Sequence, residues 1–201
     1  MIGWREDLGW RNSCRDNLPP PNNVIIMATK KTAPFTLTER LTLATGASPT
    51  VSGTIDLGSY VDVGDRQGIM IHSVDYIFQG ATAGDDVISS MPAASSVLVQ
   101  TLDLNRGGLV FANDRALISS SALTQGTAND LDRSSDLFPD NFGKGAMDGR
   151  TVVNDQLYLE AKCTGTTTAQ LNVTVRVTAS IVKLSQVDFM AIAIQSTAAD
   201  N

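Results

Sequence analysis

Reactive chemistry has few places to sit in this chain. His72 is the only histidine among 201 residues, so any Ser-His-Asp triad or Cys-His pair would have to use it. It lies between Ile71 and Ser73 in an apolar stretch with no aligned nucleophile indicated, which predicts a core or sheet-face imidazole rather than a general base. Cys14 and Cys163 make no CxxC pair and predict two unpaired thiols. No HExxH or GxSxG occurs. Phe142-Gly143-Lys144-Gly145 holds a Gly-Lys step but lacks the earlier glycine and the following Ser or Thr of a phosphate loop. The glutamates are Glu6, Glu39 and Glu160, and the aspartates are scattered, so no glycosidase carboxylate pair stands out.

Two polar clusters remain. Asn129-Asp130-Leu131-Asp132 offers oxygens for Ca²⁺, which takes about six to eight of them, but lacks the glycine and terminal glutamate of a helix-loop-helix site. A solvated loop is expected there, with no metal and no cofactor. Asn172-Val173-Thr174 is a glycosylation sequon on what reads as the wet face of a strand.

The elements that would position these residues are strands. From Leu171 to Lys183, Leu171, Val173, Val175, Val177, Ala179 and Ile181 alternate with Asn172, Thr174, Arg176, Thr178 and Ser180. Period two puts one set on a dry face and the other in water. A run of roughly 40 Å, at about 3.3 Å per residue, needs a large sheet beside it and a second layer over its apolar face. Phe35 to Leu43 alternates too, with Glu39 breaking the apolar face as an edge strand would. Ile55, Leu57, Val61 and Val63 alternate around Gly58-Ser59, which predicts a bulged strand. In Ile69 to Gln79, Met70, His72, Val74, Tyr76 and Phe78 are expected on one face, with Ile69, Ile71 and Ile77 on the other. Val97–Leu104 and Leu109–Ile118 read as strands joined by the hairpin turn Asn105-Arg106-Gly107-Gly108. Thr151 to Lys162 reads as one strand that places Glu160 on the polar face. Ser185 and Asp188 have capping-box spacing, so Val187 to Gln195 reads as a short helix, with continued strand as the alternative. Residues 119–150 show no period and are expected to form a long loop, with a turn of helix near 130–137.

Residues 1–34 are different. They contain Trp4, Trp10 and the run Pro19-Pro20-Pro21, and read as an extended arm. The arm carries a net +2 and the rest of the chain −8. Met27-Ala28-Thr29-Lys30-Lys31 also reads as an ordinary translation start, and both readings stay open; an intact mass of the 201-residue chain separates them. The formal charge of −6 leaves no overall footprint for nucleic acid or anionic lipid. No apolar run reaches the ~18 residues of a membrane span. Eight or nine short strands separated by turns define an all-β chain, an antiparallel β-sandwich or jelly roll over residues 35–201.

Gly64-Asp65-Arg66-Gln67-Gly68 feeding Ile69-Met70-Ile71-His72-Ser73-Val74-Asp75-Tyr76 carries a resemblance, as does Val152 to Leu159 followed by the long late strand. In these segments the chain resembles the single jelly-roll capsid proteins of tailless icosahedral viruses of bacteria and archaea, over about residues 35–195. The resemblance implies a single jelly roll of about eight strands plus an extended N-terminal arm. It also implies a structural virion protein that is no enzyme and that assembles with copies of itself and other capsid proteins. Trp4, Trp10, Pro19, Pro20, Pro21 and Phe35 are then the expected subunit contacts. The arm lacks the strong positive charge of genome-binding arms, which argues against direct nucleic-acid packaging by it. A carbohydrate-binding or adhesive β-sandwich is the alternative reading, and a hydrolase on the same scaffold is a third.

Overall fold

The computed structural model describes residues 29–128, 131–138, 142 and 149–197. Its strands are β1 (Thr29–Lys30), β2 (Phe35–Leu43), β3 (Gly46–Ala47), β4 (Thr50–Asp56), β5 (Gln67–Gln79) and β6 (Ser96–Leu102). They continue with β7 (Leu117–Gln125), β8 (Leu131–Phe138), β9 (Arg150–Val152), β10 (Gln156–Cys163), β11 (Thr166–Thr167) and β12 (Leu171–Lys183), before one helix, α1 (Gln186–Thr197). The chain is an antiparallel β-sandwich. One sheet runs β1-β12-β5-β9, with β2 beside β1 on the same edge of β12; the other runs β4-β10-β6-β7-β8. A small β3–β11 ribbon joins two turns.

The alternation in β12 has its expected consequence. Leu171, Val173, Val175, Val177 and Ala179 point inward and meet Leu41 and Leu43 of β2 and Leu157 and Leu159 of β10 in one core. β12 is paired along its length by β5 and along Leu171–Ala179 by β2. β2 has β12 as its strand partner, so Glu39 does lie on an edge strand.

Five expectations are corrected. Ile69 and Ile71 share the core face with Val74, Tyr76 and Phe78, because the register shifts where Ile71 faces Ala179 and Ser73 faces Thr178, leaving His72 as an extra residue. Such a bulge reverses the period, and Met70 turns to the outer face. Leu109–Ala116 is not strand. β6 and β7 do pair, but 103–116 folds back over the outer face of the second sheet, where Gln100 Nε2 donates to Val110 O and Val110 N donates to Gln100 Oε1, both at 2.8 Å. Most of the expected long loop at 119–150 is a hairpin instead, β7 with β8, and β8 stands where a helical turn was expected. Ser119, Ser120 and Ser121 are nearly fully buried, so small hydroxyls stand where a periodic reading looks for aliphatics. The run 151–162 is two strands in different sheets, β9 and β10, because the chain crosses between layers at 153–155. The alternation predicted across Gly58-Ser59 also stops early: β4 ends at Asp56, and Val63 lies in the connecting loop.

The C-terminal helix is present and capped as its spacing predicts. Asp188 N donates to Ser185 Oγ at 3.1 Å, and the Ser185 hydroxyl donates to Asp188 Oδ2 at 2.6 Å. Phe189 of α1 packs on Met70, Val153, Val182 and Leu184 at the outer face of the first sheet.

Candidate functional site

Two of the residues flagged for chemistry, His72 and Asn172, are hydrogen-bonded within the sandwich. His72 Nε2 lies 2.8 Å from Ser180 Oγ, across β5 and β12. Ser180 is 0% exposed, so its hydroxyl lies beneath the surface. Asn172 is buried; its Nδ2 donates to Gly80 O at 2.8 Å, and its Oδ1 accepts from Thr42 Oγ1 at 2.9 Å. The sequon nitrogen is therefore held inside the fold, where a glycan would displace its bond to Gly80 O. Asn129 and Asp130 lie outside the described residues, as does Lys144. Among the described residues, no three His, Cys, Asp or Glu side chains gather as a metal site. No helix there is long and apolar enough to cross a membrane.

Cys163 is a free, buried thiol whose Sγ donates to Thr164 O, and burial pushes its pKa up. A thiol so placed is a poor nucleophile. Peptide-resolved alkylation at neutral pH should leave Cys163 unmodified in the folded chain and label it fully in denaturant.

The expected contact residues fall into two groups. Trp4, Trp10, Pro19, Pro20 and Pro21 lie outside the described residues. Phe35 opens β2 and stacks on Tyr60, with ring centroids 5.1 Å apart, so much of its surface is used within its own chain. The last residues of the expected arm are part of the sheet: Thr29 and Lys30 pair with Lys183 and Val182, and Lys31 N donates to Ile181 O at 2.8 Å. The N-terminal segment thus joins the sandwich beside the end of β12, just before α1.

That end of the molecule carries its most conspicuous surface. The inner face of α1 is apolar and packed. Its outer face is apolar too: Val187 is 74% exposed, Met190 54% and Ile194 59%. Residues at i, i+3 and i+7 form one stripe on a helix, so these three make a continuous greasy row. Sequence reading found the helix but not this row, because a helix apolar on both sides gives no amphipathic contrast.

Close to the same region, where Arg150 pairs with Ile71 one residue from the Met70 on which α1 packs, β9 is tied by charge. Arg150 of β9 donates from Nη2 to Asp103 Oδ2 at 3.1 Å and to Arg115 O at 2.6 Å, and from Nη1 to Leu117 O at 3.1 Å. Asn154 Nδ2 donates to Asp103 O at 2.6 Å. One arginine therefore fastens the first sheet to the loop that covers the second. Burial pushes the Asp103 carboxyl above its ordinary range, against the pull of Arg150 and Arg106.

Comparison with known proteins finds no matching family model and no matching curated protein.

Proposed function

We propose that this chain is a structural virion protein, a capsid subunit that assembles with copies of itself into a closed shell. The observation that carries the reading is the exposed apolar row on α1, beside the point where an N-terminal segment holding both tryptophans joins the sheet. Soluble monomers seldom leave a connected apolar surface uncovered, and a repeated contact between identical chains covers it in every copy. The strand order gives further support. Counting β2, β4, β5, β6, β7, β9, β10 and β12 as one to eight, the sheets run 1-8-3-6 and 2-7-4-5, with β8 added at one edge. We read this order as jelly-roll winding, a fold used repeatedly in capsids, and it supports the proposal, although a shared fold alone does not assign a role.

Size-exclusion chromatography with negative-stain imaging of the full chain tests the reading. Large particles of uniform size are expected; a stable monomer at all concentrations would refute it. A chain lacking residues 1–28 keeps β1 and should fold with an unchanged melting transition. Its particle yield should fall sharply, measured by light scattering at equal protein concentration. Normal assembly of this truncation would remove the N-terminal segment from the contact.

A further inference from the structure

On the outer face of the second sheet lies a cleft of about 430 Å³, bounded by β4, β10 and the 103–116 loop. Ser52, Thr54, Asn105, Gly107, Tyr158 and Glu160 line it. Glu160 is 6% exposed. Its Oε2 accepts from Ser52 Oγ at 2.7 Å, and among the described residues its carboxylate has no Lys, Arg or His within 4.0 Å. Among the described residues it is the only ionisable acid or base on the cleft wall besides the Tyr158 phenol.

A buried carboxylate is costly unless a cation or several donors meet it. One serine hydroxyl fills one of about four acceptor positions. The cleft walls add little: Asn105 Oδ1 is itself an acceptor, engaged with Gly107 N at 2.9 Å. Tyr158 sits two residues from Glu160 on the same strand and lines the same space, so an aromatic ring and a carboxylate flank one volume. A ring face and a carboxylate are the two groups that together favour an organic cation over a neutral polyol.

We propose that this cleft binds an ammonium or guanidinium group. The cation is either the side chain of a Lys or Arg on a neighbouring chain or a free small amine. The site belongs to a single chain, so it is tested without reference to assembly and can fail independently of the shell reading.

The test uses agmatine, which carries both groups, with the full chain and sodium chloride of equal ionic strength as the control. Wild type should melt about 3–6 °C higher at agmatine near ten times Kd. Glu160→Gln keeps the shape and an acceptor for Ser52 but not the charge. It should show no agmatine shift and, without agmatine, should melt at or above the wild-type temperature. Tyr158→Leu should weaken agmatine binding by roughly three- to tenfold in calorimetry. A wild-type shift no larger than the salt control, a Glu160→Gln chain that still responds, or one that melts well below wild type overturns the proposal. Where wild type binds, particle formation blocked by saturating agmatine assigns the cation to a neighbouring chain. Formation unchanged assigns it to a free amine, and both results support the cleft.

Discussion

An Arg150→Ala chain should lose about 2–3 kcal/mol of folding stability at neutral pH. The figure is the usual cost of breaking a buried ion pair, lowered because the arginine keeps some contact with water. Its side chain is 32% exposed, against 11% for Asp103. The melting temperature should fall by roughly 4–12 °C for a chain of this size. Two causes add. The substitution removes the donors for Leu117 O and Arg115 O, and it leaves the Asp103 carboxylate buried without its nearest cation. Asp103 Oδ1 already lacks a hydrogen-bond partner among the described residues.

The second cause gives the loss a pH dependence with a definite sign. Desolvation raises the Asp103 pKa in the folded chain. Between the unfolded and folded values the native state binds more protons, so stability rises as pH falls through that window. Without Arg150 the folded value moves higher still, because an opposing attraction is gone. The deficit of Arg150→Ala against wild type should therefore be largest near neutrality and shrink as the buffer is made acidic, in urea titrations at a series of pH values. Asp103→Asn, introduced into Arg150→Ala, should recover part of the loss at neutral pH. A deficit that is flat with pH, or an Asp103→Asn change that merely adds its own cost, would show that the arginine acts only through its backbone hydrogen bonds.

The architecture was legible where side chains kept a strict period. β12 emerges with the bounds read from Leu171 to Lys183, and the capped helix follows from Ser185 and Asp188. Legibility failed where one local event redirected many residues. The extra residue at His72 reverses the faces of β5 and sends Met70 under α1. The serines of β7 carry no apolar signal, although both faces of that strand are largely buried. Glu160 reads as a solvated residue on the polar side of β10. It is buried only because the 103–116 loop lies across that side, and Asn105-Arg106-Gly107-Gly108 looks like the tip of a simple hairpin. The clamp joins Arg150 to a residue 47 positions away, and neither residue has a neighbour in sequence that marks the pairing. Both the clamp and the cleft are products of the crossover between sheets and of one folded-back loop, which alternation along a strand does not encode.

The outer row of α1 gives the second large effect, this time on assembly rather than on folding. Val187 and Met190 are 74% and 54% exposed in the isolated chain and lie outside the cluster that Phe189 makes on the sheet, so Val187→Glu with Met190→Glu removes little packing. Glutamate near the start of a helix also complements its dipole, so the fold should change by no more than about 0.5 kcal/mol. Burying such side chains is worth about 1.5–3 kcal/mol each when complete. Two of them add several kcal/mol to a contact, on the order of 10²-fold or more in its association constant. Two carboxylates placed there must instead be desolvated, which turns attraction into a penalty. The double variant should give an unchanged circular dichroism spectrum and melting curve, but elute as monomer or small oligomer under conditions where wild type forms particles. The same particles from the variant would mean that this row faces solvent in the shell and that the contact lies elsewhere on the sandwich. The contrast with Arg150→Ala separates two kinds of contact: under the proposed shell reading, loss of the clamp weakens each subunit, whereas loss of the α1 row leaves sound subunits unable to join.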